Sequence, residues 1–197
     1  MHADYFIGLD LGQACDHSAL AILQRTWKAH PCHPDRPASH YAVRHLRRWP
    51  LETSYTVVAA DLASLVRLPP LNWPVVIIDQ TGVGRAVVDY LGKTSLAASL
   101  KPVVITGGKE TSRADNGAWH VPKKELVSCL QALLRSQRLQ VAALPERDLL
   151  TQEMRSFRVR ITPAANETFA ACRQRDHDDL VLAVALAAWW GERAAFL

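Results

Sequence analysis

Three places in this 197-residue sequence set carboxylates against apolar surroundings. Asp10 stands inside the run YFIGLDL, and Asp79 ends the β-branched run Val75, Val76, Ile77, Ile78. Asp178 and Asp179 follow His177 and open the apolar stretch LVLAVALAAWW. A lone carboxylate in such a place costs on the order of several kcal/mol to desolvate unless it is paired or bound to a cation. Each has an ordinary structural account: a turn aspartate, a strand-end aspartate, and acids complementing a helix dipole. Taken together, each abutting a core element, they suit a shared divalent cation better. Magnesium favours hard oxygen ligands, usually a few carboxylates, with water and substrate phosphate completing its shell. Two such ions roughly 4 Å apart can activate water and stabilise the leaving oxygen of a phosphodiester. That chemistry needs two strand acids and a helix acid to converge in space, which periodicity alone does not prove.

The elements that would have to position them can be read from period and punctuation. Residues 5–11 form a short apolar strand bounded by Gly12, residues 18–24 a second strand and residues 40–49 a third, alternating apolar and basic side chains. The intervening 27–39, rich in proline and histidine, is expected as a loop at a hairpin tip. The period then changes to helical over 53–68, with Thr53 or Ser54 as N-cap. Residues 75–78 read as a strand covered on both faces, 83–91 as a helix ending at Gly92, and 101–106 as another strand. Residues 122–136 make an amphipathic helix with Pro122 in its first turn. A helix over 144–155, a strand over 157–161 and a last helix over 176–190 complete the order. The expectation is one α/β domain over 1–197, its mixed sheet an antiparallel meander first and parallel later, flanked by helices. The C-terminal edges of parallel strands are where such sheets place ligands.

Bulk properties exclude little. Apolar residues make up 49% and charged residues 21%, an ordinary globular composition. A formal charge of +4 favours an anionic partner without naming one. Cys15, Cys32, Cys129 and Cys172 form no C-x-x-C pair, so reduced thiols are expected. His30-Pro-Cys-His33 lacks the second ligand pair of a zinc finger. No signal peptide opens the chain, and the longest apolar stretch falls short of the roughly 20 residues a bilayer needs. A soluble cytoplasmic protein with no membrane partner is expected.

Four blocks carry a specific resemblance: FIGLDLGQACDHSALAIL (6–23), VVIIDQTGVGRAVVDYL (75–91), VPKKELVSCLQALL (121–134) and HDDLVLAVALAAWW (177–190). In order and spacing they resemble the nuclease domain of phage terminase large subunits, in the ribonuclease H-like, or retroviral integrase-like, superfamily. The resemblance implies a two-metal endonuclease cutting double-stranded DNA with Mg²⁺ or Mn²⁺. By position it implies metal-binding and catalytic roles for Asp10, Asp79 and Asp178/Asp179, with Asp179 favoured as the direct ligand and Asp178 supporting it. Asp16, six residues beyond Asp10, is similar to an auxiliary metal ligand of some members, and equally to a solvated turn residue. It also implies terminase or portal partners if the chain serves a packaging motor, and host cytoplasm if it is phage or prophage encoded.

Lys123 and Lys124 open a helix beside the expected site and would meet phosphate, as would Arg47, Arg48 and His177; a solvated basic face is the competing account. The family's ATPase motor is not expected here, because Leu91-Gly92-Lys93-Thr94 lacks the earlier glycine of a phosphate-binding loop. Two other readings stay open: a Holliday junction resolvase of the same superfamily, and a catalytically silent DNA-binding or assembly module on the same scaffold. A sugar kinase or actin-like ATPase half shares the I-G-L-D opening, but its further phosphate motifs are not found.

Overall fold

The run DYFIGLD alternates its side chains between two apolar environments, and this makes it the central strand of the molecule. The computed structural model describes residues 4–12, 16–30, 33–82, 84–156 and 178–195. In it β1 (Asp4–Asp10) pairs antiparallel with β2 (Ala19–His30), and β2 with β3 (His33–Arg48). On its other side β1 pairs parallel with β4 (Val75–Asp79). Beyond β4 lie β5 (Ser99–Thr106), β7 (Trp119–Pro122) and the two-residue β6 (Ser112–Arg113). The short β8 (Leu139–Val141) closes the far edge against β3, giving an eight-stranded sheet ordered β6-β7-β5-β4-β1-β2-β3-β8. The expected antiparallel meander followed by parallel strands is present.

Two expectations need correction. The stretch 27–39 is not a loop, because β2 runs through His30 and β3 begins at His33, with Ala29 opposite Pro37. Proline is tolerated here because β8 pairs only with Tyr41–Val43, leaving the outer half of β3 on an edge where a missing amide breaks no ladder. β6, β7 and β8 were not foreseen; at two to four residues they are too short to show a period. The strand expected at 157–161 and the residues before Asp178 lie outside the described residues.

Helices cover both faces. On one side α1 (Tyr55–Leu65) and α2 (Gly84–Lys93) bury Val58, Leu62, Val87 and Leu91 against Ile7, Leu9, Val76 and Ile78. Ser54 caps α1 as expected, its Oγ accepting the Val57 amide. On the other side lie α3 (Lys123–Arg135), α4 (Arg147–Ser156) and α5 (Asp179–Arg193), packed on Phe6, Ala21, Leu23 and Ile77. Every residue of α5 from Asp179 to Gly191 is buried, as expected of a helix that is apolar all round. Its approach to the sheet depends on Gly8: a Cβ built there would stand 1.8 Å from the Ala183 carbonyl oxygen. Among the described residues no helix is long and apolar enough to cross a membrane.

Candidate metal and nucleic-acid site

Strand pleating decides which acids meet. Residues two apart share a face, so Phe6, Gly8 and Asp10 point toward α5 while Ile7 and Leu9 point toward α1 and α2. On β4, Ile77 and Asp79 share the α5 side. Leu9 pairs with Ile78 in the parallel register, so Asp10 and Asp79 end adjacent strands side by side. Neighbouring strands lie about 4.8 Å apart, and both carboxylates emerge from the C-terminal edge of the parallel sheet. Gly84 holds the following turn against β4, since a Cβ there would stand 2.1 Å from the Asp79 carbonyl oxygen.

The helix acids arrive from above. Asp178 is the N-cap residue of α5 and Asp179 opens its first turn. Asp10 is 8% exposed and Asp179 4%. Burial, then the charges of Asp79, Asp179 and Asp178 in that order, raise the Asp10 carboxyl well above the usual range; Lys123 opposes them. The structure therefore brings together the four acids singled out in the sequence. Burial also raises Asp79, against hydrogen bonds from Thr81 and Ile105 and the Lys123 charge. Thr81 donates both its amide (2.8 Å) and its hydroxyl (2.6 Å) to Asp79 Oδ1, and its Oγ1 accepts the Ile105 amide at 3.0 Å. One threonine thus ties the β4 carboxylate to β5.

Two cations reach the helix acids. Lys123, where β7 runs into α3, donates from Nζ to Asp178 Oδ2 at 2.6 Å. Arg48, the last residue of β3, places a guanidinium nitrogen 3.2 Å from Asp179 Oδ2. The register explains this reach: Asp10 pairs with Ala19, and Ala19 with Arg48, so the three lie in one row across the sheet. Arg47, one residue earlier, points to the opposite face, where it pairs with Asp61 of α1 at 2.6 Å and stacks on Trp49. The two arginines grouped in the sequence as nucleic-acid contacts are thus divided by the sheet. Lys124 is exposed. Asp16 is half-buried beyond the turn that follows β1, and among the described residues no hydrogen bond or ion pair ties it to the four acids. His177 lies outside the described residues.

Sequence reasoning missed Glu153. It is 3% exposed on α4, and its Oε2 accepts the Val181 amide in the first turn of α5 at 3.1 Å. Burial pushes its carboxyl up to about 7; the Val181 bond opposes that, the Asp179 charge adds to it and Arg48 opposes it. The signal was available: Glu153 is three residues after the fully buried Leu150 and four after Leu149, on the packed stripe of its helix.

The donor set is all carboxylate oxygen, the chemistry a hard divalent cation selects. A crowd of like charges around the buried Asp10 is uphill unless a cation joins it. As placed, however, no group of three or more His, Cys, Asp or Glu side chains among the described residues is arranged to hold a metal ion. Lys123 and Arg48 take up the charge of the α5 acids instead.

No protein-family model matches the chain, and no curated protein matches it in sequence. Among solved structures, the large terminase nuclease of the thermophilic phage G20c superposes with a TM-score of 0.61 at 22% identity, covering 94% of this chain and 81% of that one. The RuvC structure of Thermus thermophilus matches with a TM-score of 0.47 at 9% identity, covering 98% of this chain and 96% of that one. With its mixed eight-stranded sheet between helical layers, this chain has the ribonuclease H-like fold, and it shares that nuclease fold with the phage terminase enzyme.

Proposed function

We propose that the chain is a metal-dependent endonuclease that hydrolyses DNA phosphodiester bonds, in the manner of a terminase packaging nuclease. The observation that carries this reading is the convergence on Asp10 of three further carboxylates from β4 and α5, at the C-terminal edge of parallel strands. Asp10 and Asp79 would hold a divalent ion together with Asp179, and Asp178 would serve a second ion. Mg²⁺ or Mn²⁺ in that place supplies charge stabilisation at phosphorus and makes hydroxide accessible from water near neutral pH.

The chain's own residues perform the rest. Thr81 fixes Oδ1 of Asp79 and so limits that carboxylate to one free oxygen. Lys123, tied to Asp178, and the exposed Lys124 flank the site at the N-terminal end of α3, where amide dipoles favour an approaching phosphate. Such contacts add affinity without reading sequence. Double-stranded DNA is the proposed substrate, with terminase or portal components as partners if the chain works within a motor.

The test incubates supercoiled plasmid and a synthetic four-way junction side by side, each with Mg²⁺, Mn²⁺ or EDTA. Plasmid cutting with either ion and none with EDTA is expected. Preferential junction cutting would transfer the assignment to a resolvase. Absence of metal-dependent cutting on both substrates would leave a DNA-binding module.

A further inference from the structure

Asp179 is a carboxylate in a buried place with a second acid beside it, and two groups from outside the acid quartet hold that arrangement. Arg48 reaches it along the row Asp10–Ala19–Arg48, its own side chain only 16% exposed. A guanidinium offers a fixed planar set of donors, so the pair defines an orientation as well as a charge. From the opposite side, Glu153 of α4 accepts the Val181 amide, one of the unsatisfied donors in the first turn of α5. The α5 backbone that carries Asp179 is therefore pinned by α4 while its side chain is pinned by β3. Of the two helix acids, Asp179 acts more strongly on Asp10.

Resting on the nuclease reading above, we propose that Arg48 and Glu153 are positioning residues for Asp179. Arg48 engages Oδ2, leaving the other oxygen for a cation shared with Asp10. Glu153 fixes the helix turn from which Asp179 projects. Neither touches DNA or the reacting atoms; both act through Asp179. Outer partners of metal ligands commonly contribute about 10- to 100-fold in metal affinity or activity.

Charge counting and positioning predict opposite results, which makes the idea testable. The full chain is titrated with Mn²⁺ by calorimetry, and plasmid cleavage is timed in parallel for Arg48→Met, Arg48→Lys, Glu153→Ala and Glu153→Gln. Removing a cation from an acidic site should tighten Mn²⁺ by electrostatics alone; positioning predicts that Arg48→Met weakens it about 10- to 100-fold. Glu153→Gln keeps an oxygen for the Val181 amide and is expected to stay within about threefold of the parent, while Glu153→Ala loses about tenfold or more. Turnover should fall with little change in the DNA concentration giving half-maximal rate. Unchanged or tighter Mn²⁺ binding in folded Arg48→Met overturns the proposal, as does equal loss in Glu153→Gln and Glu153→Ala. If Arg48→Met does not fold, Arg48→Lys decides: it keeps the charge but not the fork, and parental affinity there is also disproof. A parent that neither binds Mn²⁺ nor cuts DNA instead removes the nuclease reading, and this inference with it.

Discussion

Replacing Gly8 by alanine tests whether the acids depend on a helix pressed against the central strand. The added Cβ would stand 1.8 Å from the Ala183 carbonyl oxygen and 3.1 Å from the Ala187 amide nitrogen, both backbone atoms that no rotamer change can move aside. Ordinary contact begins near 3.4 Å, so α5 and β1 must separate locally by about 1.6 Å. Overpacking of this kind costs about 1–3 kcal/mol, and the upper end is expected because the clash is backbone on methyl. Asp179 begins the helix that must retreat and Asp10 ends the strand it retreats from, so the acids part as well. Misplacement by about 1 Å in a catalytic site can cost on the order of 100-fold in rate. Urea unfolding followed by fluorescence of the buried Trp189 and Trp190 reports the first effect, and Mn²⁺-supported plasmid cleavage the second. Gly92→Ala is the control, since nothing lies within 4 Å of a Cβ there. A Gly8→Ala protein as stable as the parent and fully active would refute the reasoning.

Three further outcomes are expected. Asp10→Asn, Asp79→Asn and Asp179→Asn should each abolish Mn²⁺-supported cleavage with circular dichroism unchanged; activity in any one folded variant would contradict that residue's role. Thr81→Val removes the hydroxyl that joins Asp79 to the Ile105 amide, and a loss of roughly tenfold in turnover at saturating Mn²⁺ is expected; an unchanged rate would show that the tie is dispensable. At the far end of α5, burial pulls the Glu192 carboxyl up, but hydrogen bonds from Arg138, Ser39 and Tyr41 and the Arg138 charge outweigh it, for a net lowering. A depressed carboxyl stabilises the fold above its unfolded value of about 4.5 and loses that contribution as pH falls through the folded value. Glu192→Gln should therefore cost about 1–3 kcal/mol in urea unfolding at pH 7 and converge on the parent near pH 3; an equal deficit at both pH values would refute the assignment.

The sheet's order and the four acids were legible because each has a local signature. β4 is a β-branched run long enough to need two apolar faces, and Asp10, Asp79, Asp178 and Asp179 stand out against their neighbours. What the sequence hid was pairing. The β2–β3 ladder through 27–30 looked like a loop because its prolines are acceptable only where no further strand docks, a fact of neighbourhood rather than composition. Arg47 and Arg48 are adjacent in the chain, and only the register reveals that one faces α1 and the other the acids. Glu153 looked like a solvated helix acid because its partner, the Val181 amide, is 28 residues away.

The rod-like α5 is fastened at both ends. At its C-terminal end Arg25 donates to the Gly191 carbonyl at 2.8 Å, Arg138 grips Glu192 through both guanidinium nitrogens, and Ser39 and Tyr41 complete the latch. A Cβ on Gly191 would meet the Tyr41 ring at 2.6 Å, so the helix has no room to slide there. The number of residues between latch and acids is consequently fixed even where their identities are not. Losing or gaining one would swing Asp179 about 100° around the axis, so this segment can drift by substitution but cannot change in length.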